Sequence, residues 1–159
     1  MKKFFLYLLA GLYFPAFSSG AMDAETLLSS PERYRILYSA GTETAYVDMQ
    51  SISGQQTMDL PSSLENVNFT LYVESYKNSP DAFDFEDRNL VSHIREFSVQ
   101  ISANKREQSY TMDYSLLAKY NAKGDILSCY DSIKEIPSAR QLPTNAKTFY
   151  IHLKRQENR

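Results

Sequence analysis

The sequence predicts an α+β domain: a curved antiparallel sheet of about six strands packed by a C-terminal amphipathic helix. Three observations carry that prediction. Large apolar and polar residues alternate with period two in one segment after another between residues 33 and 131, as a pleated strand requires. None of the connections between these segments carries the helical crossover that a parallel pair needs. The period then changes: in TNAKTFYIHLKR, Ala146, Phe149, Tyr150 and Leu153 fall at i, i+3, i+4 and i+7, the apolar stripe of a helix.

Taken in order, residues 1–21 read as a secretory signal peptide. Lys2 and Lys3 precede an apolar run from Phe4 to Phe17, and Ser19 and Ala21 supply small residues for cleavage after Ala21. Gly11 and Pro15 interrupt the run, which is shorter than the roughly 20 residues of a membrane-spanning helix. No stable membrane anchor is expected, and export to the periplasm, the cell surface or the medium is. Residues 22–32 are polar enough to be a flexible lead-in, with room for a short helical turn. Residues 33–155 then form one α+β domain, since a chain of 159 residues is too short for two comfortable cores. Residues 156–159 are a polar tail.

Within the domain, Arg33 to Ser39 alternates so that Tyr34, Ile36 and Tyr38 share one face. AGTET turns it into TAYVDMQS, which reads as a hairpin. Residues 53–65 lack a sustained period and are expected to be a loop. Val67, Phe69, Leu71 and Val73 line one side of the next strand. Across 90–102, Phe97, Val99 and Ile101 alternate, and Ile94, out of phase with them, suggests a bulge or bend. The segment from Ser109 to Asn121 places Tyr110, Met112, Tyr114, Leu116, Ala118 and Tyr120 in register. NAKG offers a tight turn into DILSCYD, the last strand. Thr144 is the expected N-cap of the final helix, and Lys154 and Arg155 suit the negative end of its dipole.

Charge argues against one function class. Seventeen basic residues stand against nineteen acidic ones, a balance that argues against a nucleic-acid partner, which needs clustered cations. Cys129 is the single cysteine, so no internal disulfide forms and the thiol is either buried or open to an intermolecular bridge.

Chemistry-bearing patterns are sparse. Asp48, Ser51 and His93 contain the ingredients of a hydrolase triad, but no G-x-S-x-G context surrounds the serine. Asp48 and Ser51 are better read as a structural turn in which both side chains accept backbone amides where a strand ends. In the loop KNSPDAFDFEDRN, Asp81, Asp84, Glu86 and Asp87 surround Phe83 and Phe85 and run into Arg88. Hard cations favour several carboxylates, yet the loop lacks the spacing and glycine of a calcium loop. Asp81, Phe83, Asp84, Phe85, Glu86, Asp87 and Arg88 are instead the candidate partner-contact surface, with aromatic anchors in a charged rim. His93 and His152 form no short-spaced pair. The expectation is no catalytic set, no metal and no cofactor. Tyr34, Tyr38, Tyr110, Tyr114 and Tyr120 could line a binding face or fill a sheet–helix core with their hydroxyls at its margin.

Taken together, the Y-V-D and Ser51-Ile52 corner, the apolar strand after it, Lys105-Arg106 at a strand turn, the tyrosine-bearing strand ending in N-A-K-G, E-I-P-S at 135–138 and the final amphipathic segment resemble the surface-adhesin protein E family of Gram-negative bacteria. The resemblance runs from about Tyr34 to Leu153. It implies a small antiparallel sheet with a helix, a tendency to dimerise and, in the adhesin itself, binding to host extracellular proteins. This chain has Ala103 where members commonly carry one cysteine of a disulfide, and no cysteine to receive a lipid anchor. The expected function is a non-enzymatic, exported envelope binding module, possible as a homodimer, whose partner is a host matrix protein or an envelope protein. The alternatives are a small periplasmic hydrolase, an enzyme inhibitor or a structural assembly subunit.

Overall fold

The computed structural model describes residues 22–40, 42–55, 64–77, 86–129 and 146–157. Its elements are α1 (Ala24–Ser29), β1 (Tyr34–Ala40), β2 (Glu43–Asp48), β3 (Ser53–Gln55), β4 (Leu64–Tyr76), β5 (Val91–Asn104), β6 (Ser109–Asn121), β7 (Ile126–Cys129) and α2 (Ala146–Glu157). The strands form one open antiparallel sheet of order β1-β2-β4-β5-β6-β7, with β3 paired to β4. The α+β architecture with a curved sheet and a C-terminal helix is as the sequence predicts. The sheet has seven strands rather than about six. The added one, β3, falls at the start of the expected 53–65 loop, where three residues pair with Asn66, Val67 and Asn68. A run so short carries no readable period.

Cross-strand register builds the first core. Val67, Ile101 and Met112 stand in one row, Phe69, Val99 and Tyr114 in the next, and Leu71, Phe97 and Leu116 in a third. Paired residues share a face, so these nine side chains make one apolar surface. The amphipathic stripe of α2 covers it: Phe149 stacks on Phe69 with centroids 5.7 Å apart, Tyr150 tilts against Tyr110 at 5.5 Å, and Leu153 is fully buried. Lys154 and Arg155 occupy the last turn, as expected. Thr144, the expected N-cap, lies outside the described residues.

Glu65 clamps α2 to the sheet. It lies 2.7 Å from Lys105 Nζ and 2.6 Å from Lys154 Nζ and accepts the Tyr150 hydroxyl at 2.7 Å. Burial alone would raise this carboxyl, but the hydrogen bonds from Lys105, Lys154 and Tyr150 outweigh burial and hold it down at about 2. A depressed carboxyl stabilises the fold above its unfolded pKa, and the contribution disappears as pH falls through the folded value. The wild-type unfolding midpoint should therefore fall between pH 4.5 and 2. Glu65→Gln should cost about 1 kcal/mol at neutral pH, the scale of a partly exposed ion pair, and flatten that acid limb. Parallel thermal melts across the interval check both.

The opposite face has its own core. Of residues 22–32, expected as a flexible lead-in with room for a short helical turn, the part from Met22 through α1 docks there. Asp23 caps α1 by accepting Thr26 N at 2.7 Å, and Met22, Ala24 and Leu27 are buried against Tyr34, Tyr46, Tyr72, Tyr76, Val91, Ile94, Ala118 and Tyr120. With helices on both faces, β2 is buried at every position.

Two bulges serve both cores. In β1 the register slips between Ile36 and Tyr38, so Tyr34 and Ile36 meet the second core while Leu37 and Tyr38 meet the first. In β6 the slip around Leu117 sends Leu116 to the first core and Ala118 and Tyr120 to the second. The expected single faces of these two strands are thus each divided. Ile94 is the converse case. Its pairing with β4 runs without a shift to Phe97, and the irregularity between Glu96 and Phe97 on the β6 side comes from the extra residue Leu117 of β6; three residues apart on a strand, Ile94 points into the second core and Phe97 into the first. The bulge of β5 lies instead beyond His93, where the pairing with β4 slips.

Candidate functional site

The acidic loop was the sequence's candidate for partner contact. Asp81, Phe83, Asp84 and Phe85 lie outside the described residues. Glu86 is exposed, and Asp87 caps a short 3-10 turn by accepting Asn89 N at 3.0 Å. Arg88 does not belong to a contact surface. Its side chain turns inward, 15% exposed, and its Nη1 lies 2.6 Å from Glu74 Oε1 and 3.3 Å from the Ala24 carbonyl. The physical reason is Glu74: a carboxylate with no solvent exposure needs a counter-charge and hydrogen-bond donors.

That carboxylate is the centre of a tyrosine network which sequence reading missed. The Tyr76 hydroxyl donates to Glu74 Oε2 at 2.8 Å and the Tyr46 hydroxyl at 3.2 Å. Burial pushes the Glu74 carboxyl up, against the pull of Arg88 and the two hydroxyls. Beside it, Glu96 accepts the Tyr120 hydroxyl at 2.5 Å and the Tyr72 hydroxyl at 3.4 Å. Burial raises the phenols of Tyr46, Tyr72 and Tyr76, which keeps them protonated donors. The alternation of β4 gave one available signal, a glutamate at position 74 whose same-face neighbours, two residues away on either side, are Tyr72 and Tyr76.

The Asp48–Ser51 corner is built from backbone hydrogen bonds. Asp48 accepts Gln50 N at 3.0 Å and pairs with Arg33 at 2.9 Å. The Ser51 hydroxyl donates to the Asp48 carbonyl at 2.7 Å and accepts Thr70 N at 2.7 Å, which fastens the corner to β4. His93 is remote from it. Thr70 and Ser75 mark the two levels on β4, five residues or about 17 Å apart at the rise of a strand. Asp48→Ala should lower stability by about 0.5 to 2 kcal/mol, the range for a lost cap, and leave partner binding unchanged in the folded protein. Denaturant unfolding alongside a binding titration checks this.

His93 lies in a polar row, Glu43–Ser75–His93–Asn121, that crosses four strands. Glu43 forms an ion pair with Arg95 and accepts the Ser75 hydroxyl at 3.3 Å. Burial first, then Lys119 and Arg95, lower His93 to about 4, so its ring is neutral at physiological pH. Among the described residues its one hydrogen-bonding neighbour is Ser92 Oγ at 3.2 Å. Among the described residues no carboxylate hydrogen-bonds to this ring, as the partner of a general base would. The five tyrosines singled out from sequence divide between the faces: Tyr34 and Tyr120 are buried in the second core, and Tyr38, Tyr110 and Tyr114 pack against the first. Cys129 closes β7, and its side chain lies outside the described residues.

A cleft of about 380 Å³ opens where α1, β1 and the end of α2 meet, lined by Leu27, Leu28, Pro31, Tyr34, Ile36 and Tyr46, with Arg35 and Gln156 at its polar side. Arg35 Nη1 donates to the Gln156 carbonyl, tying the last turn of α2 to β1. Among the described residues β1 pairs on one side only. Among the described residues no helix is long and apolar enough to cross a membrane, and no three histidine, cysteine or acidic side chains gather as metal ligands would.

No family model matches this chain, and neither the curated proteins nor the solved structures contain a match.

Proposed function

We propose that this chain is an exported, non-enzymatic binding module of the bacterial envelope that seats an extended segment of a partner protein beside β1. The observation that supports the reading is the apolar cleft lying against a strand that, among the described residues, is paired on one side only. An added strand gains main-chain hydrogen bonds from such an edge, and its alternate side chains gain a pocket. Leu28 and Ile36 offer apolar contact there, and Arg35 offers a cation at the margin. The likeness to the surface-adhesin protein E family points toward a protein partner as well, a host matrix protein or an envelope component.

Surface-immobilised domain titrated with matrix proteins and with fractionated envelope proteins should show one saturable partner. Leu28→Asp should weaken that binding at least tenfold without moving the unfolding midpoint, since Leu28 is only half-buried. A saturable partner indifferent to Leu28→Asp would place the site elsewhere, and no saturable protein in either set refutes the reading.

A further inference from the structure

The second face carries a feature separate from the cleft. α1 covers only its upper part, ending at the row Tyr72–Glu96–Ala118. Below it lie three more rows across β4, β5 and β6: Thr70–Ser98–Ser115, Asn68–Gln100–Asp113 and Asn66–Ser102–Thr111. Their neighbours in sequence, Val67, Phe69, Val99, Ile101, Met112 and Tyr114, supply the first core, so alternation turns all nine polar side chains outward together. Ser98, Gln100, Thr111, Asp113 and Ser115 are exposed and the other four half-buried.

Two properties distinguish this grid from an ordinary wet sheet face. It has eight uncharged hydroxyl or amide side chains and one charge, Asp113, whereas charged residues make up about a quarter to a third of a typical soluble surface. Moreover, among the described residues none of the nine side chains hydrogen-bonds to another protein group. Serine, threonine, asparagine and glutamine each bring donors and acceptors, and here that capacity is all directed outward. Strand spacing and rise place the groups on a lattice of about 4.8 by 6.8 Å, a platform of about 10 by 14 Å. Ser53 of β3, exposed and paired with Asn68, prolongs the middle row.

The chemistry of the grid selects its ligand. Phosphate-bearing polymers need cations, and the single charge here repels them. An amphipathic membrane-surface site needs an apolar face with basic residues, and a protein interface needs apolar or aromatic anchors at its centre. The grid offers neither. We infer that the β4–β5–β6 grid binds an uncharged polyhydroxylated chain, a neutral glycan laid across the strands. Every hydroxyl of such a chain is donor and acceptor at once, matching groups of the same kind, and it brings no charge to be desolvated.

The probes are neutral hexasaccharides of glucose and of N-acetylglucosamine, with a sulfated glucan as the charged comparison, titrated at millimolar concentration into the isotope-labelled full domain. Amide and side-chain amide resonances of residues 66–70, 98–102 and 111–115 should shift with at least one neutral probe. Raising salt should leave the affinity unchanged, because no ion pair contributes. Asn68→Ala/Gln100→Ala should weaken binding at least tenfold with an unchanged melting midpoint, and Leu28→Asp should leave glycan binding intact, which separates this site from the cleft. The inference is overturned if neither neutral probe shifts the grid, if the sulfated glucan binds as tightly as the neutral chains, or if the double variant binds like wild type.

Discussion

Glu74→Ala should lower stability by about 3 to 5 kcal/mol, the cost of removing one member of a buried ion pair. Glu74 has no solvent exposure, and Arg88, the two tyrosine hydroxyls and the Ala24 carbonyl are organised around it. Truncation leaves the Arg88 guanidinium without its Glu74 counter-charge, and one of its nitrogens, Nη2, has no hydrogen-bond partner among the described residues. Tyr46 and Tyr76 lose their acceptor at the same time. The loss reaches α1, because Arg88 reaches both Glu74 and the Ala24 carbonyl. Glu74→Leu/Arg88→Leu should recover most of the deficit, since a well-packed apolar pair commonly replaces a buried ion pair at little cost. Urea unfolding of the single and double variants measures both. A double variant as unstable as the single one would show that the tyrosine hydroxyls, not the uncompensated guanidinium, dominate.

The same network marks the limit of what alternation reveals. The stripe of α2 was legible because Phe149, Tyr150 and Leu153 fit only a helical period, and the strand pairs were legible because Phe69 or Val99 alternate with polar groups over many residues. The face to which a residue belongs was less so. Tyr110 to Tyr120 read as one uninterrupted side, but the slip at Leu117 depends on how β6 pairs with Glu96 and Phe97, and pairing is a property of two strands. A short helical turn before β1 was legible, but its docking on the sheet was not, for a related reason. Six residues form no stable helix alone, and this one holds because Ala24 and Leu27 meet tyrosines from β1, β2 and β4. Without that second cover, Ile94 looked irregular and Arg88 looked like surface. The outward grid was present in the sequence as every second residue of three strands, but its rows exist only once register sets Asn68 beside Gln100 and Gln100 beside Asp113. The cleft needed still more, since its lining comes from α1, β1, β2 and α2.

Phe149→Ala should also cost about 3 to 5 kcal/mol, by lost transfer energy and by the cavity left behind. Phe149 is fully buried and stacks on Phe69, itself in the row with Val99 and Tyr114, so the cavity would open at the centre of the first core. Collapse is limited there. The backbone of β4 is held by β5 along its length, and α2 is pinned nearby through Glu65. Phe149→Leu, which keeps most of the volume, should cost under about 1.5 kcal/mol. Comparing Phe149→Ala with Glu65→Gln then ranks the two ways in which α2 is held, apolar burial against a partly exposed charge cluster. Chemical unfolding of the three variants should put alanine far below the other two. If Glu65→Gln proved the more damaging, α2 would be an electrostatically tethered strap rather than the cover of the core. Its last turn would then be an unreliable wall for the cleft, because Gln156 is held to Arg35 through that same helix.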